Sequence, residues 1–219
     1  MRGIYLVTNR GLCRGRLLLD VVAEAVKGGV ACVQLREKET PTRAFVEEAL
    51  AVKNILAPHR IPLMINDRID VALACGADGV HIGQEDMPYE TARRLLGPKA
   101  IIGLSVETWE DVEAAQKLEV DYIGVSPVFA TPTKTDTKEP WGLEGLRKVK
   151  AFSRHPLTAI GGISEANARE VTEAGADCLA VVSAICSAEN PAGATARLKH
   201  VFDEALRRRD RRVSRDISF

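Results

Sequence analysis

The sequence lacks an excess of charge of either sign. Thirty Lys and Arg meet thirty Asp and Glu, so the formal net charge is +0. That excludes a general electrostatic binder of nucleic acid or of an anionic membrane surface. It also lacks a long apolar run. In "MRGIYLVTNRG" charge returns after a few residues, so we expect neither a signal peptide nor a membrane span there, and no later stretch is long enough to span a bilayer. The cytoplasm is the expected compartment. Five cysteines are present (Cys13, Cys32, Cys75, Cys178 and Cys186), but no CxxC pair and no metal-type spacing. Buried structural thiols are the expectation. Present instead is an ordinary globular composition over 219 residues, 46% hydrophobic and 27% charged, enough for a sizeable core.

One pattern recurs: a small or acidic residue, then a short apolar strand. It appears as "GGVACVQL", "CGADGVHI", "LEVDYIGV" and "AGADCLAV". The copies align on Ala31, Asp78, Asp121 and Asp177, in steps of 47, 43 and 56 residues. Each reads as a helix C-terminus entering a buried strand. Between them lie "IYLV" (4–7), "PLMI" (62–65), "AIIGLS" (100–105) and "LTAIGG" (157–162). Helical patterns separate all eight. Phe45, Ala49, Val52 and Leu56 share one helix face, with Thr40 as the expected N-cap and Pro41 as the first helical residue. Thr108 and Ser164 are expected caps further on. Ala194, Leu198, Val201, Phe202 and Ala205 give the last helix its apolar stripe.

Eight strands alternating with helices, in a period of two βα units, predict an α/β fold: a (βα)8 TIM barrel in a single domain, residues 1–207. An open doubly wound sheet has the same alternation, but no G-x-G-x-x-G follows the first strand. Residues 208–219, "RRDRRVSRDISF", are charge-dense and are expected to be a disordered basic tail, a partner-binding arm being the alternative.

In such a barrel the C-terminal strand ends carry chemistry. After the second strand, Gln34, Arg36 and Lys38 alternate and so share one side. They suit a phosphorylated ligand, or equally a loop of solvated charges. Asn66 and Asp67 end the third strand, either capping a helix or offering an amide and a carboxylate. Asp86 follows in the next loop. Two carboxylates without cysteine or a histidine cluster suit Mg²⁺ rather than Zn²⁺. His81 reads as a hydrogen-bonded structural histidine more than as a mouth residue. Ser105 is weak evidence alone; no G-x-S-x-G surrounds it and no triad is evident. Gly161 and Gly162 allow either a ligand's approach to the backbone or a tight turn. With Val182 and Ser183 after the eighth strand, they sit where this fold cradles phosphate. The polar stretch "VFATPTKTDTKEPWG" follows the sixth strand, and Thr131, Thr133 and Lys134 are placed to close over a ligand.

The ordered set "YLVT", "QLREK", "IND", "HIGQED", "TPTKTDT", "AIGGI" and "VVSAI" closely resembles the thiamine phosphate synthase family, over nearly the whole chain except the tail. The resemblance implies a (βα)8 barrel that joins 4-amino-2-methyl-5-hydroxymethylpyrimidine diphosphate to a thiazole phosphate, releasing pyrophosphate in a dissociative displacement. It implies that Gln34, Leu35, Arg36, Glu37, Lys38 and Asn66 hold the pyrimidine diphosphate, with Mg²⁺ on Asp67 and Asp86. Ser105 and Lys134 would contact that diphosphate, and Arg36, Lys38, Ser105 and Lys134 would form the catalytic set. Thr131, Pro132 and Thr133 would line the thiazole site; Gly162, Val182 and Ser183 would bind its phosphate. Lys138 lies outside the matched motif. Asn9 stands where an acidic residue is common. The rivals are a thiazole tautomerase on the same barrel and a non-catalytic phosphate-ligand sensor. The partners implied are these small molecules, with no nucleic acid and no membrane; the oligomeric state is left open.

Overall fold

The computed structural model describes residues 2–131 and 138–216, with side chains as far as Arg211. Eight parallel strands close into a barrel in chain order. They are β1 (Gly3–Val7), β2 (Cys32–Leu35), β3 (Leu63–Asn66), β4 (Gly79–Ile82), β5 (Ile101–Val106), β6 (Tyr122–Val125), β7 (Leu157–Ile160) and β8 (Cys178–Val181). β8 pairs back onto β1, matching Tyr5 with Ala180. The described helices are α1 (Leu18–Lys27), α2 (Thr42–Leu56), α3 (Ile69–Cys75), α4 (Tyr89–Leu96), α5 (Trp109–Ala115), α6 (Gly142–Phe152), α7 (Ala168–Glu173), α8 (Ser183–Cys186) and α9 (Pro191–Asp216). None of them is long and apolar enough to cross a membrane. The expected (βα)8 barrel is therefore the fold.

Strand alternation divides the core in two. Ile4, Leu6, Val33, Leu35, Leu63 and Ile65 pack outward against the helices. Tyr5, Cys32, Met64, Tyr122 and Cys178 form a second, smaller cluster, which bridges β1 and β6 and so fills the barrel interior. The buried face of α2 is Phe45, Ala49, Val52 and Leu56. All five cysteines are buried and free.

The repeated small-or-acidic position has a mechanical role. The backbone N–H groups of Ala31, Asp78, Asp121 and Asp177 donate to the carbonyls of Ile4, Leu63, Ile102 and Leu157 at 2.8–2.9 Å. Three carboxylates answer in the other direction. Asp78 accepts from the Leu63 N–H at 2.8 Å, Asp121 from Ile102 at 2.8 Å and Asp177 from Leu157 at 3.0 Å. Each aspartate thus binds both backbone groups of the strand entry beside it. The first unit has no room for this: a Cβ on Gly3 would lie 2.7 Å from that of Ala31.

Three local expectations are corrected. α2 begins at Thr42, with Pro41 as its N-cap residue, while the Thr40 hydroxyl donates to Glu37. Pro41 has φ −55° and ψ 143°, an extended rather than a helical backbone, so the helix starts one residue later. Thr108 does cap α5, in a reciprocal box with Asp111. Ser164 does not cap α7, which begins at Ala168; instead Asn167 accepts from the Ser164 N–H. The tail expected to be disordered is helical from 208 as far as Asp216. Arg209 explains this. Its guanidinium donates to the carbonyls of Thr172 and Ala176 and to Asp177.

Asp177 is the most enclosed of the clamps, 7% exposed, and also binds Lys150 at 2.6 Å. Burial raises its pKa, but Lys150, the Leu157 N–H and Arg209 outweigh that and hold it below the ordinary value. A lowered folded pKa stabilises above the unfolded pKa, and the gain is lost as pH falls through the folded one. Asp177→Ala is expected to cost about 2–4 kcal/mol at neutral pH, because it leaves two cations and an N–H without their acceptor. Asp121→Ala, with a half-exposed carboxylate, should cost less. Urea unfolding of both variants at pH 7 checks the order.

Candidate active site

The C-terminal ends of the strands open into one cavity of about 710 Å³. That volume is large enough for two small ligands side by side. Gln34, Arg36 and Lys38 all line it, as the alternation requires. Leu35 and Glu37 do not. Leu35 is fully buried toward the helices. Glu37 points away, accepting from Thr40 at 2.9 Å and facing Arg10 at 3.8 Å. The same alternation that brings three residues of "QLREK" to the cavity turns the other two out of it. Thr8 fixes the segment from below: its hydroxyl accepts from the Arg36 N–H at 3.0 Å, and its own N–H donates to the Gln34 carbonyl at 2.9 Å.

Asn66, Asp67 and Asp86 meet on the neighbouring wall. Asp67 has a left-handed backbone, φ 62°, unusual outside glycine. Its N–H donates to the His81 carbonyl at 2.9 Å, which ties the turn to β4. Asp86 reaches back to accept from the Gly83 N–H at 2.7 Å. The two carboxyl groups interact directly. Burial first, then the hydrogen bond and charge of Asp86, push the Asp67 pKa up to about 6, against the opposing pull of Lys38 and Arg36. Lys38 stands 3.9 Å from Asp67.

Across the mouth, Gly162, Val182 and Ser183 line the cavity together. Gly161 and Gly162 have φ values of 104° and 65°. Both sequence readings of this pair are incomplete. A Cβ at Gly161 would lie 2.7 Å from Pro127, and one at Gly162 would lie 2.8 Å from Phe129. The space beside these glycines holds the segment leaving β6. The Phe129 N–H also donates to the Gly161 carbonyl. Thr131, the last described residue of that segment, lines the cavity. Pro132, Thr133 and Lys134 lie outside the described residues. Lys138, outside the matched motif, nevertheless lines the cavity.

Ser105 lines the cavity at the end of β5, paired with His81: the imidazole Nε2 lies 2.8 Å from its Oγ. His81 is both hydrogen-bonded and at the cavity. Tyr5, Thr8, Gln84 and Glu107 also reach it. Sequence reasoning missed them. Tyr5 sits mid-strand in an apolar run, with only strand alternation to mark it.

A family model described as thiamine monophosphate synthase matches residues 4–185. The chain belongs to that family. It is 64% identical over 200 residues to the thiamine-phosphate synthase of Albidiferax ferrireducens, covering 91% of each chain. It is 54% identical over 206 residues to that of Leptospira biflexa, covering 92% of this chain and 98% of the other. The solved thiamine phosphate pyrophosphorylase of Pyrococcus furiosus superposes with a TM-score of 0.85 at 39% identity, covering 93% and 96%. Among the described residues no group of three or more His, Cys, Asp or Glu could hold a metal ion by themselves. In a family that handles phosphate, a pair of carboxylates leaves the remaining positions to ligand and water oxygens.

The raised Asp67 pKa gives a stability test with a definite sign. A group whose folded pKa exceeds its unfolded one stabilises below the unfolded value, and that contribution is lost as pH rises through the folded one. With divalent cations removed, Asp67→Asn should therefore be more stable than the parent at pH 8, by on the order of 1–3 kcal/mol. At pH 3.5 the difference should vanish. Asparagine tolerates the left-handed backbone, so the turn is kept. Thermal melts at the two pH values decide it; equal stability at both would show that the carboxyl groups do not oppose one another.

Proposed function

We propose that the chain joins a 4-amino-2-methyl-5-hydroxymethylpyrimidine diphosphate to a 4-methyl-5-(2-phosphoethyl)thiazole, giving thiamine phosphate and pyrophosphate. The observation that carries this is one cavity with two unlike anion sites. Arg36 and Lys38 stand on one side; glycine backbone and Ser183 stand on the other. In the reaction the methylene C–O bond breaks and its electron pair leaves on pyrophosphate. The lone pair of the thiazole nitrogen then forms the new C–N bond. That nitrogen has no proton to lose, so no general base is needed.

Arg36 and Lys38 would meet the charge that develops on the leaving diphosphate. Asn66 and Gln34 would hold the pyrimidine, and Gly162, Val182 and Ser183 the thiazole phosphate. Asp67 and Asp86 fit a magnesium ion: the donors are oxygen only, and the upward push of Asp86 on the Asp67 pKa is what a neighbouring carboxylate does when no cation separates the two. Bound there, the ion would supply further charge neutralisation at the diphosphate. Thr131, which lines the cavity, would face the thiazole, while the roles of Pro132, Thr133 and Lys134 rest on the resemblance alone. Leu35 and Glu37 support the segment rather than touch substrate. We assign the chain to the cytoplasm, which five unpaired thiols fit.

A tautomerase on the same barrel needs neither the cations nor the carboxylate pair. A phosphate sensor needs only one anion site. The test is incubation with both substrates and Mg²⁺, with products read by mass. Thiamine phosphate and pyrophosphate are expected in equal amounts. Binding of both substrates without product would support the sensor instead. Arg36→Ala should lower kcat by about ten- to a hundredfold, the scale of one charge-assisted contact in the transition state. It should leave the affinity for the thiazole phosphate near that of the parent, and steady-state kinetics with titration of each substrate separates the two effects.

A further inference from the structure

Four hydrogen bonds cross the interior of the barrel in one line. The Gln34 amide nitrogen lies 2.8 Å from the Tyr5 hydroxyl. That hydroxyl lies 3.1 Å from the Tyr122 hydroxyl. Tyr122 lies 3.0 Å from His81 Nδ1, and His81 Nε2 lies 2.8 Å from Ser105 Oγ. The line starts and ends at residues that line the cavity. Its middle is nearly enclosed: both phenols are 1% exposed, with Tyr5 and His81 at the cavity wall.

The barrel makes room for this line at some cost. A Cβ on Gly103 would lie 2.3 Å from the Tyr122 hydroxyl oxygen. A Cβ on Gly124 would lie 2.9 Å from the His81 ring. Glycine weakens a strand interior. Here two glycines, on β5 and β6, open the space that the phenol and the imidazole fill. The two rings stack with centroids 5.6 Å apart.

A phenol has one hydrogen, so the line must run in one direction, and the Gln34 amide nitrogen beside Tyr5 sets which. Tyr5 then accepts the Gln34 N–H and would give its own hydrogen to Tyr122, and Tyr122 would give its hydrogen to His81 Nδ1. The imidazole would carry its proton on Nε2 and donate to Ser105, leaving the serine hydrogen for the cavity. Burial raises the pKa of both phenols well above the ordinary value, so each keeps the hydrogen the line needs. At the other end, with its nitrogen on Tyr5, Gln34 would offer its amide oxygen to a ligand in the cavity it lines.

We propose that this line sets the hydrogen-bonding polarity of the cavity floor, an acceptor at Gln34 and a donor at Ser105, and so selects a 4-aminopyrimidine over its 4-oxo analogue. The amine donates and the adjacent ring nitrogen accepts. In the oxo form the two are exchanged: the oxygen accepts and the ring N–H donates. Tyr5 and Tyr122 are then positioning residues that determine specificity without touching the reacting atoms. The inference rests on the pyrimidine reading above. It also makes a statement about the free protein that does not.

The first arm is ¹⁵N NMR of the imidazole in the unliganded parent, assigned with His81→Gln. The proton is expected on Nε2; a proton on Nδ1 means the reverse direction and overturns the proposal. The second arm is calorimetric titration with the 4-amino and 4-oxo pyrimidine diphosphates. The parent should prefer the amino form by about a hundredfold or more, because the wrong form leaves buried polar groups unpaired. Tyr5→Phe and Tyr122→Phe should each reduce that preference about tenfold or more. An unchanged preference in both folded variants overturns the proposal. If the parent binds neither diphosphate, the substrate reading fails and selection with it, while the imidazole result still reports the direction of the line. Should a phenylalanine variant not fold, the parent's tautomer and preference still decide.

Discussion

The strands of this barrel are short, and the molecule depends on their entering it at the right height. Strands of four to six residues carry few ladder bonds each. Register in a two-sided sheet is unforgiving: a one-residue slip exchanges the inner and outer faces. At β2 such a slip would put Leu35 and Glu37 into the cavity and drive Gln34 and Arg36 among the helices. The aspartates at 78, 121 and 177 guard against this at the opposite rim. Each binds the N–H and the C=O of one residue in the preceding strand, or of the residue that begins it. Stability at one end of the strands is what lets the other end be polar.

The same logic runs through the interior. A barrel of this size is filled by side chains rather than left open. Here part of that filling is polar, and every member of the line from Gln34 to Ser105 has a partner. An incomplete line would be worse than an apolar core, since an unpaired buried hydroxyl or imidazole loses its hydration without return. The glycines at 103 and 124 show that the surroundings have been shaped around it. They sit on the strands beside the groups they accommodate, so the fit is local and specific.

Much of this was legible in the residues, and the parts that were not have physical reasons. The period of small or acidic residues marked four strand entries, and the apolar stripes of α2 and α9 fell where their side chains are buried, Val201 only in part. Alternation correctly brought Gln34, Arg36 and Lys38 to one side. A contiguous motif hid the converse, that Leu35 and Glu37 must then face elsewhere. The helical tail was missed because a dense run of like charge reads as solvated until Arg209 is seen against Asp177. Lys138 was missed because nothing in the chain marks a loop residue as near a cavity. Tyr5 and Tyr122 looked like ordinary core aromatics. Their hydroxyls find each other only across 117 positions of sequence, through closure of the barrel.

Arg14 and Arg60 take left-handed backbones away from the cavity, but the costliest breaks with local rules lie around it. Asp67 takes a left-handed backbone that glycine would adopt with less strain. Its carboxylate is then held near that of Asp86, so a conformational cost and an electrostatic one fall on the same residue. Gly161 and Gly162 give up side chains altogether so that the segment leaving β6 can lie against them. None of these choices improves the barrel as a barrel. A carboxylate kept beside another carboxylate lowers stability at neutral pH, and it persists when the surrounding structure over-determines it. Under the function proposed above, the compensation would come from what the cavity takes in: a cation between the carboxylates, and anions against Arg36, Lys38 and the glycine backbone. The free protein thus carries a local cost at Asp67, and the aspartate clamps on the far rim of the barrel help to carry it.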